Sequence, residues 1–168
     1  MGRLAERLDA LTVRVKSPDS RILGKLFQER IDVEFVDDDA YFEYATAAEL
    51  EQQLDKVLFA LMEAHRNATR AAVTELTSFT FEDGPHWDAC QRRFRAKRDD
   101  ILAAGFSKCA RVAVSSVGLA DAKVEIAPKI MDDCNDAQFL RLFHEAAANM
   151  RWDWKIQLWE LKKTAFDR

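Results

Sequence analysis

The sequence predicts an α+β protein made of two divergent units, each a helix, antiparallel strands and a long helix, packed together as a pseudo-dimer. Three observations carry this expectation. First, Thr46-Ala47-Ala48-Glu49 and Asn135-Asp136-Ala137-Gln138, 89 positions apart, both place Glu or Gln three residues after a short polar N-cap. This is the capping-box pattern, in which side chains and backbone at a helix start satisfy each other. Second, the stripe Leu50, Leu54, Val57, Leu61, His65, Ala68 and Ala72 maps, on adding 89, to Phe139, Phe143, Ala146, Met150, Trp154, Gln157 and Leu161. Six of those seven partners can pack as apolar or amphipathic side chains. Third, short runs of apolar and polar alternation precede each long helix, as half-buried strands require.

In chain order, Leu4, Leu8 and Leu11 share one helical face, and Val13 and Val15 then alternate with Arg14 and Lys16, so a short helix leads into a strand. Ser17-Pro18-Asp19-Ser20 is a turn signal. A second strand is expected over Arg21 to Gln28, interrupted by Gly24, and the clearest alternation, Ile31, Val33 and Phe35, gives a third. Tyr41-Phe42-Glu43-Tyr44 either extends the sheet or covers its edge. A long helix follows from about Ala47 to Glu75. Glu82-Asp83-Gly84-Pro85-His86 breaks the pattern, giving units at 1–81 and 87–168 with a linker at 82–86. The second unit is expected to open with a helix from about Trp87 to Ala104, ending at Gly105. Two strands follow, around Val112 to Val114 and Ala122 to Ile126, so this unit lacks one strand of the first. After Pro128 a final helix runs to about Ala165.

A chain of 168 residues with 48% hydrophobic and 32% charged side chains, and only 5 Gly and 3 Pro, is ordered, helix-rich and large enough to bury a core. No apolar run reaches the roughly 18 residues of a membrane span. Met1-Gly2-Arg3-Leu4-Ala5-Glu6 lacks the apolar core of a signal peptide, so a cytoplasmic protein is expected. Cys90, Cys109 and Cys134 are odd in number and widely spaced, which favours free buried thiols over disulfides. The net charge of −4 is unevenly spread: residues 1–85 carry 10 Lys+Arg against 17 Asp+Glu, and residues 86–168 carry 15 against 12. The basic excess of the second half is small for a nucleic-acid footprint.

The segment Lys123-Val124-Glu125-Ile126-Ala127-Pro128-Lys129-Ile130-Met131-Asp132-Asp133 resembles the YbaB/EbfC family of small nucleoid-associated proteins, as do Ser17-Pro18-Asp19 and the order of elements. The resemblance covers about two thirds of the chain and rests on short motifs. It implies a helix and a curved sheet leading into an amphipathic helix, dimer-like pairing of units, and a DNA-binding surface. Divergent relatives that are accessory proteins of specialised secretion systems make a protein partner the competing implication. The acidic net charge and the missing strand depart from the family pattern.

Arg92, Arg93, Arg95 and Lys97 are the candidate phosphate contacts. With Phe94 facing inward, they divide into Arg92 and Arg95 on one flank and Arg93 and Lys97 on the other, so a solvated helix face competes with a binding patch. Trp152, Ile156 and Trp159 form a second apolar stripe on the last helix, beyond the one that carries Trp154. It calls for a second contact, either the other half of the chain or a partner protein or second copy. Asp37-Asp38-Asp39 reads as a solvated turn, His86 and Cys90 form no complete metal set, and His65 reads as a core or interface residue. His144 has no matched nucleophile, and no phosphate loop, nucleophile elbow or zinc-protease helix occurs. With the resemblance, the expectation is a non-enzymatic protein that binds DNA through its basic second half, the competing class being a protein-interaction adaptor or chaperone that uses the Trp-rich helix, and no cofactor, metal or small-molecule substrate is evident.

Overall fold

A computed structural model describes residues 2–36, 45–77 and 89–166. The first half contains α1 (Arg3–Asp9), β1 (Thr12–Lys16), β2 (Ile22–Phe27), β3 (Arg30–Phe35) and α2 (Ala47–Leu76). The second contains α3 (Ala89–Asp99), β4 (Leu102–Phe106), β5 (Val112–Val117), β6 (Asp121–Ile126), the single turn α4 (Ile130–Asp133) and α5 (Asp136–Phe166). Each half folds its three strands into an antiparallel sheet, in the orders β1-β2-β3 and β4-β5-β6. The expected α+β class is what the chain forms. Asp37–Asp39, Tyr41–Tyr44, the proposed linker 82–86 and Trp87 lie outside the described residues.

The repetition extends to backbone detail. Val15 pairs with Gly24 in the first sheet, and Gly105 with Val114 in the second, a shift of 90. Ser17 and Ser107 each close the turn between the first two strands, their hydroxyls accepting from Ile22 N–H at 2.9 Å and Val112 N–H at 3.1 Å. The second hairpin turns through Gln28 and Glu29 in one half and Gly118 and Leu119 in the other, all at positive φ. Both capping boxes form. Thr46 Oγ1 accepts from Glu49 N–H while Glu49 Oε2 accepts from Thr46 N–H, and Asn135 and Gln138 make the same reciprocal pair at 2.9 and 3.0 Å.

Four expectations are corrected. The helix expected to run to Ala104 ends at Asp99, and Gly105, taken as its stop, lies inside β4. The second half therefore has three strands, not two. Gly24 does not interrupt β2; a Cβ there would meet Val57 Cγ1 at 2.5 Å, so the glycine lets α2 approach the sheet. The chain after Pro128 makes α4 before the Asn135 cap restarts the helix as α5. Asp132 and Asp133 sit in α4, with Asp133 3.0 Å from Arg111.

Each long helix lies on its own sheet and also reaches the third strand of the other, α2 to β6 and α5 to β3. Their buried stripes, Leu50, Leu54, Val57 and Leu61 on α2 and Phe139, Phe143, Ala146 and Met150 on α5, join a core cluster drawn from both halves. Each such aliphatic or aromatic side chain stabilises the fold by about 1.5–3 kcal/mol on burial. The reciprocal docking also satisfies strand edges. Val33 N–H donates to His144 Nε2 at 2.9 Å, and Val124 N–H donates to Asp55 Oδ1 at 2.6 Å. His144 and Asp55 are themselves related by the 89-residue shift.

Candidate functional site

The outer edge of β4 is covered by α5 in an unusual way. Glu145, Asn149, Asp153 and Gln157, spaced four apart, bond to Lys108 N–H, Phe106 C=O, Ala104 N–H and Leu102 C=O at 2.8–3.0 Å. Four helical residues rise about 6.0 Å and two strand residues about 6.6 Å, so one helix stripe can follow alternate groups of a strand edge. Gly105 permits the approach, because a Cβ there would lie 2.1 Å from Met150 N and 2.2 Å from Ala146 O.

This ladder fixes where the remaining faces of α5 point. Buried Phe143, Ala146 and Met150 lie roughly a quarter turn to one side of it, against the inner face of the sheet. Trp152, Ile156 and Trp159 lie a similar angle to the other side. They are 65%, 41% and 58% exposed. The outer face of the sheet carries Leu102, Phe106 and Val117, at 60%, 57% and 42% exposure, with Leu102 directly paired with Val117. The expected second stripe is exposed, and at one end Trp152 lines a recess with Gln28, Glu29, Arg30 and Ile31 of the first half. Lys163 Nζ sits 3.5 Å above the Trp159 ring.

The repeat supplies an internal comparison. Shifting Leu102, Phe106 and Val117 by 90 gives Thr12, Lys16 and Phe27, and shifting Trp152, Ile156 and Trp159 by 89 gives Glu63, Asn67 and Arg70. The same architecture is thus built in the first half with mostly polar and charged residues at these positions. The fold does not need the aromatics there.

The four basic candidates separate, as the helical geometry predicts. Arg93 and Lys97 line a recess with Cys90, Phe94 and Leu161 beside the end of α5, where Cys90 Sγ–H donates to Ala165 C=O at 3.4 Å. Arg95 faces the opposite side, 3.9 Å from Asp99, and Arg92 is exposed. They form no single stripe. Arg98, which sequence reasoning did not select, lines the same cavity as Arg95.

The histidines are structural in their contacts. His144 is held below its ordinary value by burial, while Asp32 opposes that shift; its ring accepts from Val33 N–H when Nε2 is unprotonated. His65 is also lowered, first by burial and then by Arg151. Burial raises Asp55 despite the bond from Val124. Cys90 and Cys134 are half-buried and Cys109 is exposed, so the expected burial of all three thiols is not found. No group of three or more His, Cys, Asp or Glu able to hold a metal occurs among the described residues. No helix among them is long and apolar enough to cross a membrane.

No family model, curated protein or solved structure matches this chain.

The sequence pattern does not single out Leu102 and Phe106 because it extends the preceding helix through Ala104 to a stop at Gly105, nor Val117 because it ends the next strand near Val114. A signal was present: Leu102, Ala104 and Phe106 fall on alternate positions, but intervening Ala103 and Gly105 carry no polar contrast.

Proposed function

We propose that this chain is a non-enzymatic, cytoplasmic binding protein that docks a protein partner through the exposed apolar residues of its second half, Trp152, Ile156 and Trp159 on α5 and Leu102, Phe106 and Val117 on its sheet. The observation that carries the reading is concentration. Six of the nine exposed large hydrophobic residues among the described residues belong to the second half, on α5 and the outer face of its sheet, while the positions related by the repeat in the first half are mainly polar. Clustered exposed apolar area costs solvation free energy that a partner relieves, and aromatic residues dominate such contacts. Lys163 beside the Trp159 ring favours a partner whose apolar segment is flanked by an acid. Trp152→Ala with Trp159→Ala should leave the unfolding midpoint nearly unchanged and remove a partner captured from native lysate by wild-type protein. Unfolding of the double variant would assign the stripe to the core instead.

A second reading, DNA binding through Arg92, Arg93, Arg95 and Lys97, draws on the YbaB/EbfC resemblance and on the exposure of α3. Phosphate contacts release counterions, so this binding would fall steeply with salt, whereas apolar docking would not. Replacing all four with Ala should weaken binding to unrelated sequences about equally. Absence of a low-salt gel shift at tens of micromolar removes this reading, and nuclease treatment of the lysate separates the two in one experiment.

A further inference from the structure

A half-open cavity of about 380 Å³ lies where the two halves meet. Five of its lining side chains are arginines: Arg66 and Arg70 from α2, Arg95 and Arg98 from α3, and Arg151 from α5. Among the described lining residues a single acid, Asp99, faces them; Arg98 engages it at 2.6 and 2.9 Å and Arg95 lies 3.9 Å from it. Arg66 and Arg70 have no ion pair among the described residues. Arg151 reaches Glu29 only at 3.9 Å. Its Nε and the Trp154 Nε1, both in the cavity wall, are buried N–H donors without an acceptor among the described residues.

Guanidinium and indole groups donate and never accept, so the unmet demand is for acceptors. Converging like charges in a partly desolvated space raises free energy unless an anion enters. Bidentate arginine forks match phosphate oxygens in particular. The fold does not impose this convergence. Positions related by the repeat to Arg95, Arg98 and Arg151 are Ala5, Leu8 and Met62. Leu26, Met62 and Leu119 add an apolar part to the lining, and the volume lies within the range of small-ligand sites.

We infer that this cavity binds a small organic phosphate of nucleotide size, its phosphates on the arginines and its organic part against Leu26, Met62 and Leu119. The inference is independent of the docking surface, which uses none of these residues. Calorimetric titration of the full chain with ATP and with inorganic tripolyphosphate at low salt tests it. Saturable binding of one molecule per chain is expected, tighter for ATP because only ATP covers the apolar part of the lining. Arg66→Ala with Arg70→Ala should weaken both by about tenfold or more, since charge-assisted contacts are lost from exposed positions that the core does not use. Trp154→Phe, which keeps a ring and removes the Nε1 donor, should weaken ATP binding severalfold with the unfolding midpoint retained. Arg92→Ala with Arg93→Ala, outside the cavity, should leave binding in place. Failure of both probes to bind overturns the inference, even where a DNA duplex binds. Equal losses from the Arg66/Arg70 and Arg92/Arg93 pairs also overturn it, because they reveal diffuse charge without a site.

Discussion

His144 and Asp55 show how one position in a repeated fold can carry different chemistry. Both stand on a long helix and accept from the outward N–H of the third strand in the other half. An unpaired edge N–H is costly when buried, so each acceptor contributes through a group that would otherwise lack a partner. The histidine makes this contribution depend on protonation. His144 and His65 are lowered from 6.5 in the folded chain, so the unfolded chain takes up protons first as pH falls. Stability is complete above about 6.5 and is lost as pH drops below that value toward the folded pKa values. Asp55, raised from 3.8, acts in the opposite sense at lower pH. The urea midpoint of wild-type protein should therefore fall between about pH 7.5 and pH 5.5. With His144→Gln and His65→Gln that fall should flatten, because Gln supplies an acceptor without titrating. Equal slopes in the two proteins would exclude the histidines as its source.

At the scale of elements, the joining of α5 to β4 decides the geometry of the second half. Leu102-Ala103-Ala104-Gly105-Phe106 has little intrinsic strand preference: it contains no β-branched residue, and glycine weakens a strand interior. It is a strand because β5 pairs with one edge and the helix ladder satisfies the other. The same residues set the angle at which Trp152, Ile156 and Trp159 leave the surface. Gly105→Ala should destabilise the chain by about 3 kcal/mol, at the upper end for overpacking, because the obstacles are helix backbone atoms that cannot rotate away. Gly24→Ala meets only the movable Val57 and Leu61 side chains and should cost less. Chemical denaturation of the two variants checks the order; equal losses would show that α5 can shift on β4.

For the whole molecule, the shared core makes the halves interdependent. Fragments 1–81 and 87–168 would each lose the contact that the opposite helix makes with the third strand, exposing apolar area and unpaired edge groups. Each fragment alone should give little cooperative unfolding by circular dichroism, and coexpression should restore a complex. Two monomeric fragments with sharp transitions would contradict this interdependence.

The sequence by itself determined the repeat, both capping boxes, the α+β class and the buried stripes of the long helices, because these depend on local hydrogen bonds and on periodic hydrophobicity. It also separated the arginine flanks of α3, a consequence of helical geometry alone. Tertiary structure decided the rest. β4 exists through pairing, Leu102, Phe106 and Val117 come onto one sheet face through register, and five arginines from three helices converge only when the halves dock. Such groups are far apart along the chain, and no local period records a distance that packing alone creates.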